Sequence, residues 1–237
     1  MTRLVLFDID GTLVLTGGAG ARAMIQAFAD VFGVSSEMSS ATSRLAGVPM
    51  AGRTDTWILG EMSKVYNVPS DAETLRRFHD IYVSHLTREI ELPGPRKGVL
   101  PGVRPLLDAL AARRSTLALL TGNFAAGARI KLEHFDLWRY FSCGAFAEDA
   151  PDRNSLFGCA VQRVEAVGLS PLRPSEVVIV GDTPHDVEVA RVAGARSVAV
   201  ATGSFSREEL LASGADVALD DLSDVGVALA ALGVGDE

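Results

Sequence analysis

The sequence predicts an α/β protein, a doubly wound parallel sheet interrupted after its first strand by an inserted helical segment. Three observations carry that reading. Leu4-Val5-Leu6-Phe7 is an apolar run too short for a helix and rich in strand formers. From about residue 116 onward, short apolar runs alternate with helical periodicities, a pattern that implies parallel strands covered on both faces. Between these regions lies a long stretch of helical spacing with no convincing strand.

The first strand runs straight into Asp8-Ile9-Asp10-Gly11-Thr12. It therefore delivers two carboxylates at its carboxyl end, the edge at which open α/β sheets bind ligands. Gly11 permits a sharp exit and Thr12 adds a hydroxyl. Thr16-Gly17-Gly18-Ala19-Gly20 reads as a hinge, because no Lys-Ser or Lys-Thr follows as a phosphate loop needs. Helices are expected over 21–32, 54–66 and 72–89, and Gly94-Pro95, Gly98 and Pro101-Gly102 close the block. Strands are expected over 116–120, 143–146, 177–180 and 197–201, with helices over 125–133, 155–166 and 184–193 between them. A last short strand over 216–219 precedes a carboxyl-terminal helix. The expected division is a core of 1–14 and 98–237 around a helical insertion of 15–97.

Composition narrows the function. A chain of 237 residues, 48% hydrophobic, can bury a substantial core, which sets aside disordered and fibrous classes. Its net charge of −8 offers no basic stripe for nucleic acid, so an anionic ligand must be held by a few placed groups or by a metal. Cys143 and Cys159 lack both metal-ligand spacing and disulfide density, and free thiols in a reducing compartment are expected. No basic-then-apolar leader and no long uncharged apolar run is present, so neither secretion nor membrane insertion is expected. The expected setting is the cytoplasm, as a monomer or homodimer.

Two further strand ends carry polar groups. Thr121-Gly122-Asn123 opens a helix with a hydroxyl and free N–H groups, which suits an anion, although Asn123 as an ordinary helix cap fits as well. Gly181-Asp182-Thr183-Pro184-His185-Asp186 opens another, and its two acids also suit the helix dipole. Together with Asp8-x-Asp10-Gly11-Thr12, these stretches resemble, in order and separation, the first, second and fourth motifs of the haloacid dehalogenase superfamily, whose members are mostly magnesium-dependent phosphatases. The insertion matches in position the helical cap of that family's first cap class, which makes 15–97 a cap domain and the chain phosphoglycolate phosphatase-like.

The resemblance implies a sheet with the Asp8 strand in its middle. It makes Asp8 the nucleophile that forms an aspartyl-phosphate, and Asp10 the group that protonates the leaving alcohol and then deprotonates water. Asp8, the backbone carbonyl of Asp10, and Asp182 would hold Mg²⁺, with Asp186 one layer further out. A carboxylate attacking a phosphate ester needs such a cation to offset repulsion, and oxygen donors without histidines favour Mg²⁺. Thr121, Gly122 and Asn123 would hold the oxygens of the transferring group.

The family usually places a lysine between the second and fourth motifs, but no lysine follows Lys131. Arg153 stands in that region and can grip phosphate oxygens bidentately, with Lys131 and Lys97 as the alternatives. In the insertion, Arg53 is the candidate contact to the substrate's leaving portion, while Thr54 and Asp55 suit a helix cap. His185 is expected on a surface loop, and Trp57 and Trp138 in packing roles. The expected activity is hydrolysis of a small phosphorylated metabolite such as phosphoglycolate or a sugar phosphate. The rivals are a phosphomutase, a metal-independent 2-haloacid dehalogenase, which has no use for Asp10, and a non-catalytic phosphate-responsive module, which the order of elements disfavours.

Overall fold

The computed structural model describes residues 2–33, 44–45, 47–169 and 171–234; part of the expected insertion, 34–43 and 46, lies outside them. The first half runs β1 (Leu4–Phe7), β2 (Val14–Leu15), α1 (Ala19–Phe32), β3 (Arg44–Leu45), β4 (Val48–Pro49), α2 (Asp55–Tyr66), α3 (Ala72–Glu89) and β5 (Gly98–Val99). Then follow α4 (Val103–Ala112), β6 (Thr116–Leu120), α5 (Ala125–His134), β7 (Gly144–Ala145), α6 (Arg153–Ala166), β8 (Val177–Gly181), α7 (Pro184–Ala193), β9 (Arg196–Val200), α8 (Arg207–Ala212), β10 (Val217–Leu219) and α9 (Val225–Leu232).

Six of these strands form one parallel sheet in the order β10-β9-β8-β1-β6-β7. The uninterrupted apolar run of β1 now has its reason. Val5 and Phe7 face a core with Leu106, Leu110 and Leu132, whereas Leu4 and Leu6 face another with Leu156 and Ile179. Both faces are covered, so alternation with polar residues would be destabilising. Because β1 lies between β8 and β6, successive strands leave it in opposite directions along the sheet. A crevice opens at such a switch point, beyond the strands' carboxyl ends.

The insertion is tied at its neck. β2 pairs antiparallel with β5, Val14 opposite Val99 and Leu15 opposite Gly98. Gly17 and Gly94 lie back to back just above, where a Cβ on Gly17 (φ +62°) would come within 2.7 Å of the Gly94 Cα. The helices of the insertion share an apolar core of their own, including Met24, Phe28, Phe78 and Tyr82. Phe124 and Ala147, from the sheet side, join that core and seat it over the switch point.

The paired strands β3 and β4 and the helices α4 and α8 are additions to the expected elements. Two-residue strands carry no period, and α8 has six residues. The helix α4 begins right after turn formers and holds Pro105 in its first turn, where the missing N–H has no helical partner to lose.

Candidate active site

Asp8 continues the ladder of β1 by one bond, its N–H donating to the Val180 carbonyl at 2.9 Å, and the chain then turns away. That turn requires Gly11 (φ +83°), because a Cβ there would lie 2.3 Å from an Asp182 carboxylate oxygen. Gly203, beyond β9, approaches Asp182 from the other side even more closely. Two backbones thus press on one carboxylate and hold it beside Asp8.

Asp8, Asp182 and Asp186 are all buried, and each offers an oxygen within 4.8 Å of the others'. One guanidinium meets them. Arg153, the first residue of α6, places Nη2 3.2 Å from Asp8 and 2.5 Å from Asp186, and its Nη1 donates to the Gly52 carbonyl of the insertion at 3.1 Å. Asp186 is fully engaged, since its other oxygen accepts from the Thr183 N–H and hydroxyl at 3.0 and 2.8 Å. Among the described residues Asp182 accepts only from the Thr12 hydroxyl, at 3.4 Å.

Among the described residues the charges are therefore out of balance by about the charge of one divalent cation: three carboxylates face one guanidinium. Burial pushes the Asp8 carboxyl up to about 6; Arg153 pulls it down, and Asp186 and Asp10 push it up again. Burial, then Asp8 and Asp186, push the Asp182 carboxyl well above its ordinary value. Burial works against the charge of Arg153, but Asp186 and Asp8 outweigh it and raise its pKa. An all-oxygen donor set with surplus negative charge fits a divalent ion such as Mg²⁺.

Thr121, at the end of β6, is completely buried. Its hydroxyl oxygen accepts from the Asn123 amide group at 2.8 Å and from the Asn123 N–H at 3.3 Å. The helix start beyond is already occupied, the Phe124 N–H by Asp55 at 2.9 Å and the Ala125 N–H by Glu148 at 3.0 Å. Neither of these N–H groups is left for an anion. Gly122 is needed there, because a Cβ would lie 2.2 Å from the Arg53 carbonyl oxygen.

Asp55 does more than the sequence reading assigns it. Thr54 caps α2 through the Trp57 N–H, while Asp55 joins the insertion to the sheet, its N–H donating to the Gly122 carbonyl at 2.7 Å. Burial lifts its carboxyl to about 6, against the pull of Lys131. Arg53 stacks over Trp57 at 4.4 Å and lines a cavity of about 250 Å³ together with Asp8, Asp10, Lys131 and Arg153.

Three placements differ from expectation or add to it. His185 lies half-buried in the first turn of α7 and against Gly52, not on a surface loop, and burial, then Arg53 and Arg153, lower its pKa. Lys97 serves the Ile90 and Leu92 carbonyls below α3, away from the carboxylates. Lys131, by contrast, enters the site from α5, its Nζ 2.6 Å from Asp10 and 2.5 Å from the Asn123 side-chain oxygen. A legible signal existed: Lys131 shares the stripe of Gly127, Ala128 and Leu132, the buried face of α5.

A pH dependence follows for the metal-free protein. Folding raises the Asp8 and Asp55 carboxyls to about 6 from an ordinary 3.8, so between these values the folded state binds more protons than the unfolded chain. Stability then falls as pH rises through that window and levels off above it. The urea midpoint in EDTA is expected to be lower at pH 7 than at about pH 5, with Asp55→Asn removing part of the difference; a flat profile would contradict the burial of these carboxylates.

Known proteins share this chain's sequence and fold. Residues 2–194 match the haloacid dehalogenase-like hydrolase family. A probable phosphatase, IndB, of Dickeya dadantii is 30% identical over 95% of this chain and 92% of its own. The phosphoglycolate phosphatase of Escherichia coli K12 is 26% identical over 98% and 93%. Among solved structures, CbbY of Rhodobacter sphaeroides in complex with xylulose-1,5-bisphosphate shares the fold at a TM-score of 0.71, with 18% identity over 95% of this chain and 97% of that one. A family match over most of the chain and a relative 30% identical across nearly its whole length place the chain among the haloacid dehalogenase-like hydrolases, as an enzyme of the phosphatase kind.

Proposed function

We propose that the protein hydrolyses a small phosphate monoester with Mg²⁺ through an aspartyl-phosphate on Asp8. The observation that carries the reading is the buried trio Asp8, Asp182 and Asp186, which a single arginine leaves short of positive charge. Asp8, the Asp10 backbone carbonyl and Asp182 would hold the ion, and Asp186, both oxygens already engaged, would orient from one layer out. When bound, Mg²⁺ supplies charge that lets a carboxylate approach a phosphate.

The chain's own groups do the rest. An Asp8 oxygen attacks phosphorus, the bond to the leaving oxygen breaks, and Asp10 gives that oxygen a proton. Water then attacks the aspartyl-phosphate, Asp10 takes its proton, and the bond from Asp8 to phosphorus breaks to release phosphate. Gly122, Asn123 and Arg153 line the cavity in which the transferring group would sit, its charge spread over its outer oxygens, while Thr121 beneath them would hold Asn123 in place and reach the group through its hydroxyl. Arg53 reaches from the insertion toward the leaving portion. Residues 15–97 act as a cap that excludes bulk water.

A cavity of about 250 Å³ suits a small metabolite, phosphoglycolate or a sugar phosphate, rather than a macromolecule. A cytoplasmic location is favoured by two unpaired cysteines. Among the described residues no helix is long and apolar enough to cross a membrane. One chain supplies each group named above, so the chemistry asks for no partner subunit.

The test is hydrolysis of 4-nitrophenyl phosphate with Mg²⁺ and with EDTA, followed by a panel of phosphorylated metabolites. Turnover is expected with the metal and only traces without it. Equal rates in EDTA, or chloride release from a 2-haloacid, would overturn the reading.

A further inference from the structure

The mechanism leaves one buried cation unexplained. Lys131 is 4% exposed, and lysine is almost never so buried without a partner. Its ammonium donates to Asp10 Oδ2 at 2.6 Å and to Asn123 Oδ1 at 2.5 Å. Asn123 closes a ring, because its amide donates to the same Asp10 Oδ2 at 2.9 Å and to the Thr121 hydroxyl at 2.8 Å. The insertion hems the ammonium in: a Cβ on Gly20 would sit 3.3 Å from Nζ, with the Tyr82 hydroxyl next to it.

Asp10 is consequently held by one oxygen. Oδ2 accepts from both Lys131 and Asn123, whereas Oδ1 accepts no hydrogen bond among the described residues. The Asp10 side chain is nevertheless 41% exposed and lines the cavity beside Asp8. With one oxygen pinned from two directions, rotation about the carboxylate's last bond is blocked. The other oxygen is left for chemistry.

We propose that Lys131 is a positioning residue for proton transfer, fixing Asp10 Oδ2 so that Oδ1 meets the leaving oxygen and later the attacking water. This rests on the reading of Asp10 as acid and base. Asn123 alone would give a looser hold, because its own side-chain oxygen is anchored by Lys131. A displacement of about 1 Å at such a group is enough to cost roughly 10²-fold in rate.

The experiment compares kcat/KM of Lys131→Met on two esters in Mg²⁺, 4-nitrophenyl phosphate and propyl phosphate. Nitrophenolate departs without a proton, whereas propoxide needs one. The loss on propyl phosphate is expected to exceed that on the nitrophenyl ester by about tenfold or more. Both values come from one preparation, so the folded fraction cancels. Lys131→Arg, which keeps the charge with altered geometry, gives the same ratio should the methionine variant not fold, and is expected to show the same bias to a smaller degree. Equal losses on the two esters, or none, would overturn the proposal. Asp10→Asn separates the two possible failures. If it too loses equally on both esters, the acid role of Asp10 falls with the proposal; if it discriminates and the Lys131 variants do not, only the assignment of Lys131 falls.

Discussion

Asp8→Asn is expected to abolish turnover, by about 10⁴-fold or more, while leaving the metal-free protein at least as stable as the parent at pH 7. An amide keeps the shape and one acceptor oxygen but has no nucleophilic carboxylate to form the phosphoryl ester. The stability half follows from burial. In the folded protein the Asp8 carboxyl is pushed up to about 6 against 3.8 unfolded, so ionising it at pH 7 opposes folding. That difference corresponds to a penalty on the order of 3 kcal/mol, which the substitution removes. Loss of activity with a raised melting temperature in EDTA would be the signature of a carboxylate kept for chemistry. Residual turnover above about one part in a hundred would move the nucleophile elsewhere, and a lowered melting temperature would mean that the charge was needed for folding.

The core of the fold was readable because buried parallel strands declare themselves. The runs at Leu4–Phe7 and Thr116–Leu120 are apolar without alternation, and the structure finds each covered on both faces. Acidic and hydroxyl groups right after such runs can only fall at one edge of a parallel sheet, and so Asp8, Thr121 and Asp182 could be grouped before any coordinates. What stayed hidden depends on distance across the chain. Nothing local to Asp55 reveals that its carboxylate caps Phe124, 69 residues away. Lys131 is separated from Asp10 by 121 residues and sits in a helix of weak amphipathic character, so only its place on the buried stripe hinted at a polar partner. His185 was misplaced for the same reason: Gly52 of the insertion, 133 residues earlier in the chain, lies against its side chain.

Arg153→Met is expected to behave oppositely to Asp8→Asn in stability while sharing its loss of function. Removing the guanidinium takes the sole cation that touches the trio, among the described residues, away from Asp8 and Asp186, together with the hydrogen bond to the Gly52 carbonyl that ties α6 to the insertion. Stranding buried charges costs about 3–5 kcal/mol, so the metal-free variant should melt well below the parent at pH 7. Mg²⁺ should restore much of that stability but little of the rate, because the ion's charge does not replace the guanidinium's own directed hydrogen bonds to the phosphate's outer oxygens; a fall in kcat/KM of about 10²- to 10³-fold is expected. Arg153→Lys should recover only part, since one ammonium cannot span Asp8, Asp186 and Gly52 as a planar fork does. The double variant Asp8→Asn/Arg153→Met is the decisive comparison. If the arginine stabilises the fold by countering Asp8, the two stability changes should fail to add, with a coupling of about 1–3 kcal/mol. If they add, the contribution of Arg153 to folding lies in its hold on Asp186 and the insertion, and its pairing with Asp8 serves the reaction alone.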